Sequence, residues 1–419
     1  MTRPANHPGH RAGTRAYRHT TLALFAAGMA TFMTLWYVQG LLPVFSTEFS
    51  VTPTHSALAV SVTTALLAAA IVPAGMLSER FGRVPVMSFS ALSSTAVGLL
   101  LPWSPTFEVL LAGRALQGLL CAGIPAVAMA YLVEELDARD TGAAMGIYVA
   151  GTSVGGLTGR LIPALGLDLM AWSWAFQAAT ALAAAFAVLF VWRVPASRNF
   201  APRRISIGQS LAELGVHLRD RTLRCLFGLG FLLLGAFMAV YNYLAYRLLE
   251  APFSLPASVV GSVFVLYLAG TVSSAVAGRY RDRFGRGRVL LAAVLVMAAG
   301  LAISVSNSLG VLLAGIALLT TGFFAAHSIA SGWVPGRATT NRSGASSLYL
   351  LSYYLGSALL GALAGPAFAV YDWPGLVGYV AVILTVALVL ALVLRRTDSS
   401  GPAHPETRDA DTQSAAVRA

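Results

Sequence analysis

Apolar residues along this chain come in unbroken runs, and polar residues gather in the gaps between them. The runs fall at 21–43, 56–77, 85–102, 108–132, 143–164, 171–193, 224–246, 257–278, 289–306, 308–330, 346–368 and 374–394. Most have the roughly 18–25 residues a helix needs to cross about 30 Å of hydrocarbon. A membrane barrel would instead show alternating segments of roughly 10 residues, and these are absent from the sequence. The pattern predicts an all-α membrane protein with twelve transmembrane helices in two sets of six.

The longer polar stretches set the predicted organisation. Residues 1–20 form a polar tail, 21–193 a first six-helix bundle, 194–223 a linker, 224–394 a second bundle and 395–419 a second tail, read as disordered. The first run is not followed by a small-residue cleavage site and is read as a retained span. Seven arginines lie from Arg193 to Arg224, beside Pro195 and Pro202. Within this linker Ile207, Leu211, Leu214 and Leu218 recur at helical spacing behind Ser206, which predicts an N-capped amphipathic helix at the membrane surface.

Charge adds a direction. All 28 basic residues are arginines, and the net charge is +11. One family of gaps holds both tails, Arg80, Arg83, Arg139, the linker, Arg279 to Arg288, Arg337 and Arg342. The alternate gaps hold Arg247 together with Glu48, Asp168, Glu250 and Asp372. Positive residues stay on the cytoplasmic side, so both termini and the linker are expected there. Topology accounts for the arginines, and no nucleic-acid partner is expected. Composition agrees: 57% hydrophobic and 11% charged residues are too apolar for a water-soluble core. Cys121 and Cys225 have no metal-ligand spacing, and no metal is expected.

The chain also repeats itself. Gly75–Arg83, GMLSERFGR, returns 203 positions later as Gly278–Arg286, GRYRDRFGR, and Pro53 returns as Pro256. At an offset of 205, Met33, Trp36, Tyr148, Gly151 and Gly156 match Met238, Tyr241, Tyr353, Gly356 and Gly361. Six helices per half put both halves in the same orientation, as parallel repeats.

Several residues stand out chemically. Glu79, Arg80 and Arg83 crowd a tight turn, with Asp282 and Arg283 in its copy. Glu79 can face a helix N-terminus across the bundle interface, where an anion is favoured, or the charges only mark topology. Arg114 lies inside the fourth run and Arg160 inside the fifth. A charge at that depth must face protein or water, unless it snorkels to the headgroups. Gln117 shares a helix face with Arg114 and could bind substrate or a neighbouring helix. Gly151, Gly155 and Gly156 allow close helix packing. His327 can exchange a proton near neutral pH or serve as a hydrogen-bonded structural group. Tyr241 and Tyr353 could line a cavity. No Asp or Glu lies in the middle of a run, which counts against strongly cationic substrates. No phosphate-cradling loop or catalytic set is present, so no enzyme activity and no bound cofactor are expected.

These motifs resemble the major facilitator superfamily over nearly the whole chain. Gly75, Leu77, Ser78, Arg80, Gly82 and Arg83 match the loop between spans two and three, with Glu79 where Asp is usual and Val84 where a basic residue is usual. Arg114, Gln117 and Gly118 match the fourth-span motif. Gly151-Thr-Ser-Val-Gly155-Gly156 is similar to the fifth-span motif of drug:proton antiporters, with Thr152 in place of its proline. The resemblance implies two bundles rocking about a central site and a latch at Glu79, Arg80 and Arg83, with Asp282 and Arg283 as its second copy. It implies gating glycines at 151, 155 and 156, and a path for substrate or protons past Arg114, Gln117, Arg160, Tyr241, His327 and Tyr353. It implies a monomer in a bacterial cell membrane whose partners are lipid, protons and a small-molecule substrate. The expected task is proton-coupled efflux of a small organic or drug-like compound. The alternatives are uptake of a small organic anion or metabolite, and a non-transporting receptor or scaffold.

Overall fold

The computed structural model describes residues 9–200 and 207–399. The expectations for residues 1–8 and 400–419, and the Ser206 cap, lie outside the described residues. Among the described residues ten helices are long and apolar enough to cross a membrane. In chain order the first half holds α1 (Arg15–Glu48), α2 (Pro53–Phe81), α3 (Arg83–Trp103), α4 (Phe107–Glu135) and α6 (Trp172–Arg193). The second holds α7 (Arg221–Leu249), α8 (Ala257–Phe284), α9 (Arg286–Ile303) and α10 (Leu309–Arg337). The tenth, Arg342–Asp398, is two helices: Tyr371 and Asp372 leave helical geometry, Asp372 at φ 50°. These become α11 (342–370) and α12 (373–398). The remaining span, α5 (Thr141–Gly166), has 26 residues. Its glycines dilute its hydropathy without shortening it.

Local chemistry explains many of the helix ends. Thr14, Thr52 and Thr106 accept hydrogen bonds from the backbone N–H groups of Tyr17, His55 and Val109. Asp220 caps α7 by accepting from the Thr222 and Leu223 N–H groups. Such caps satisfy donors that a helix start leaves free. Gly82, at φ 100° and ψ 156°, ends α2 and starts α3, and Gly285, at φ 85° and ψ 153°, does the same between α8 and α9. A Cβ resists that backbone, so the repeated turn is built on its glycine.

Small residues bring helices together within each half. On α5, a Cβ at Gly155 would lie 2.7 Å from the Met29 carbonyl oxygen, and one at Gly159 would lie 2.8 Å from the Met33 Cα. Gly151 abuts Phe25 in the same way, and its repeat partner Gly356 abuts Phe231. Gly156 behaves differently, facing Trp36 and the Arg160 side chain.

Two helices are interrupted where the bundles meet. α1 passes through a 3-10 turn at Tyr37–Leu41, and α8 through one at Val263–Leu266. Gly40 in the first turn lies so close to α5 that a Cβ would stand 2.9 Å from the Arg160 carbonyl oxygen. Gly261 meets Ala164 just before the second. Further contacts tie α1 to α7 on the face away from the termini: Ser46 bonds Tyr246 at 2.7 Å, and the Tyr246 hydroxyl donates to the Leu42 carbonyl at 2.8 Å.

The terminal segments depart from expectation. α1 begins at Arg15 rather than 21, and His10 pairs with Leu136 in a single β-bridge. The Arg11 guanidinium contacts Asp137, and the Ala12 N–H donates to Asp140 at 2.8 Å. α12 stays helical past Arg395, so that Asp398 accepts from the Gly287 N–H at 2.9 Å. The end of the predicted N-terminal tail, from Arg15, and the start of the predicted C-terminal tail, as far as Asp398, are therefore helical. The predicted linker helix is present at Ile207–Arg219. It docks on the second half, where Asn341 donates to Glu213 and its carbonyl meets His217.

Candidate functional site

Three arginines lie buried at three levels, and their partners separate their roles. Arg83, at the start of α3, is 6% exposed. Its Nη2 donates to Glu79 and to Glu134, each at 2.6 Å, and its Nη1 donates to Ser78 at 2.7 Å. The Phe200 ring of the linker covers it. The neighbouring Glu135 accepts the N–H groups of Arg198 and Asn199. The Glu79 carboxylate is thus engaged by Arg83 of its own bundle, not by a helix end of the other half. Arg80 is exposed and rests against Phe81. The copy does not repeat this cluster: Asp282 pairs with the adjacent Arg281 at 2.9 Å, both well exposed, and Arg283 lies over Phe284.

Arg114 on α4 is fully buried and surrounded by acceptors. It donates to the carbonyls of Ala59 at 3.0 Å, Thr34 at 2.8 Å and Leu35 at 2.9 Å, and to Gln117 Oε1 at 2.7 Å. Gln117 Nε2 in turn donates to the Tyr37 hydroxyl and the Ser94 carbonyl. Both were expected on a substrate path. The structure places them inside the first bundle, where they tie together α1, α2, α3 and α4. The 3-10 turn after Trp36 frees carbonyls from the helical ladder, and a long planar donor can reach them.

Arg160 on α5 is different. It is 2% exposed and faces the second bundle. Nε donates to Gln39 Oε1 and Nη1 to the Gly156 carbonyl, each at 2.6 Å. Rings of Trp36 and Tyr267 lie 4.7 and 4.5 Å from the guanidinium carbon, with Phe264 beyond. Among the described residues its Nη2 makes no hydrogen bond, and no Asp or Glu pairs with it. Aromatic faces offer a buried cation about 0.5–2 kcal/mol each, which leaves its charge largely uncompensated.

Gln39 carries this arrangement across the interface. Its Nε2 donates to Asn242 Oδ1 of α7 at 2.7 Å. The second bundle contributes an aromatic wall: Phe237 stacks on Phe323 at 3.9 Å, and Tyr241 bonds Thr320 at 2.7 Å. Tyr353 stacks on His327 at 4.4 Å, and His327 Nδ1 meets the Tyr349 hydroxyl at 2.9 Å. Tyr241 is buried, whereas His327 and Tyr353 are half-buried. The structure therefore brings Arg160, Tyr241, His327 and Tyr353 to one region and sets Arg114 and Gln117 apart from it. Sequence reasoning missed Gln39 and Asn242. Their signal was a carboxamide inside an apolar run, weaker than a charge.

The Major Facilitator Superfamily family model matches residues 24–266 and 243–418. The chain is 41% identical over 387 residues to YybF, an MFS-type transporter of Bacillus subtilis strain 168, covering 92% of this chain and 96% of that one. It is likewise 41% identical over 385 residues to the inner membrane transport protein YnfM of Escherichia coli K12, covering 92% of each. Among solved structures it resembles a bacterial homologue of the human lysosomal transporter Spinster, in its inward-facing, unoccupied conformation. That likeness has a TM-score of 0.72 at 17% identity, covering 94% of this chain and all of the other. The chain belongs to the Major Facilitator Superfamily and is a multi-pass membrane transporter rather than an enzyme.

Proposed function

We propose that this transporter carries a small organic anion with an apolar, ring-bearing body, by alternating access of its two bundles about Arg160. The observation that carries the reading is a buried guanidinium at the bundle interface with no carboxylate partner among the described residues. A substrate carboxylate supplies the missing charge, and a charge-assisted bond to a guanidinium is roughly twice as strong as a neutral one. The walls of Trp36, Tyr267 and Phe264 suit a flat apolar body.

The reading gives proton coupling to His327, the titratable group held between Tyr349 and Tyr353. The efflux direction rests on the likeness of the fifth span to drug antiporters. Gly151 and Gly155 have a packing role against α1 that accounts for them without it. The arginine asymmetry supports a cell-membrane protein with both termini cytoplasmic, and the Glu79–Arg83–Glu134 cluster would then work at the cytoplasmic end.

The test is thermal stability of the purified protein with benzoate, phenylacetate and cinnamate, against benzamide and benzylamine. A ligand that binds only the folded state raises its stability. At least one acid should raise the melting temperature of the wild type and fail to do so for Arg160→Gln. Stabilisation by benzylamine and by none of the acids would overturn the reading in favour of a cationic substrate.

A further inference from the structure

Asn242 leaves one half of its carboxamide unused. Its Oδ1 accepts from Gln39, which fixes the amide, while Nδ2 is buried and makes no hydrogen bond among the described residues. The side chain is 1% exposed. Two more buried hydroxyls lack partners nearby: Ser61 of α2, 4% exposed, and Ser357 of α11, fully buried. Buried polar groups are almost always paired, so unpartnered ones at a single interface point to something that comes and goes.

These groups border one spot. A Cβ built on Gly361 would stand 3.5 Å from Asn242 Nδ2 and 3.9 Å from Ser61 Oγ. Ser357 lies one turn away on the same face of α11, since residues four apart are helix neighbours. The spot thus collects a fixed N–H donor and two hydroxyls from three helices and both bundles, over a residue with no side chain. Together they suit a neutral oxygen that accepts from Asn242 and exchanges hydrogen bonds with the serines.

The spot is also close to Arg160. Bonds of 2.6 and 2.7 Å join Arg160 Nε to Asn242 Oδ1 across one carboxamide, a span of at most about 7.5 Å. One benzene ring bearing a carboxylate and a para hydroxyl covers a similar distance. We propose that the space over Gly361, framed by Asn242, Ser61 and Ser357, binds a hydroxyl or carbonyl oxygen at the far end of the anion held by Arg160. The substrate class is then a hydroxy- or oxo-substituted organic acid rather than a simple one. This rests on the anion reading above.

The test compares binding of benzoate and 4-hydroxybenzoate to the purified wild type and to Gly361→Ala. The added methyl makes only ordinary contacts, none nearer than 3.5 Å, so the variant should keep the wild-type melting temperature. In the wild type, 4-hydroxybenzoate should bind about tenfold more tightly than benzoate, the effect of one well-made buried hydrogen bond. In Gly361→Ala that preference should fall to about twofold or less. Benzoate binding with no hydroxyl preference in the wild type, or with a preference that survives in Gly361→Ala, would overturn the second pole and leave the anion reading standing. Loss of Arg160-dependent binding for every acid tested would remove the anion reading and this inference together.

Discussion

Arg160 and Gln39 meet 2.6 Å apart, and the far side of the same carboxamide reaches Asn242 in the other bundle. One neutral side chain therefore couples the buried charge to the bundle interface. Gln39→Glu places a carboxylate where that amide lies. It should neutralise Arg160 internally and abolish anion binding while the melting temperature holds or rises. Gln39→Leu leaves partners on both sides unpaired, at about 1–3 kcal/mol each, and should lower the melting temperature. Ligand binding and thermal unfolding of both variants check this.

Arg114 should separate cleanly from Arg160. Arg114→Ala strands the Thr34 and Leu35 carbonyls and Gln117 Oε1, and leaves the Ala59 carbonyl to Thr63 alone. A loss of about 4 kcal/mol or more is expected, seen as poor yield and a low unfolding temperature. Arg160→Gln should remain folded and lose ligand response. Equal stability of the two variants would contradict the division.

The charge cluster at Arg83 has redundancy. Either Glu79→Gln or Glu134→Gln leaves one carboxylate on the buried guanidinium, so each alone should cost about 1–2 kcal/mol. The double variant leaves Arg83 without a counter-charge and should cost about 3–5 kcal/mol. A double-mutant cycle by thermal unfolding measures the excess. Simple additivity would show that the two acids act independently. Transport by Glu79→Gln at the wild-type rate would remove its latch role.

How much of this was legible beforehand follows from what each signal depends on. The spans, the halves and the linker helix follow from hydrophobic periodicity, which bundle packing does not alter. The turn at Gly82 and its copy at Gly285 were readable because only glycine adopts that backbone without strain. The repeat kept the turn and not the charge cluster, since Asp282 finds Arg281 and faces solvent. That difference depends on a partner more than fifty positions away: Arg83 is held by Glu134 of α4. Arg114 and Arg160 look alike in sequence. Their roles diverge because the 3-10 turn at Tyr37–Leu41 presents free carbonyls to one and the Gln39 amide to the other.

Asp137 gives a pH dependence outside the membrane. The Arg139 N–H and then the Arg11 guanidinium hold its carboxyl below the usual range. A lowered value means the carboxylate's contribution is present above the ordinary carboxylate range and is lost as pH falls through the lowered value. The anchoring of the segment around His10 should persist at neutral pH and weaken in acid. Limited proteolysis before Arg15 across a pH series measures it, and Asp137→Asn should be cut at neutral pH as readily as the wild type in acid.

The most direct measurement is counterflow in proteoliposomes. Vesicles loaded with unlabelled 4-hydroxybenzoate and carrying the wild type should transiently accumulate the labelled acid, whereas those carrying folded Arg160→Gln should not. Accumulation at the wild-type rate by Arg160→Gln would contradict the central role given to that guanidinium.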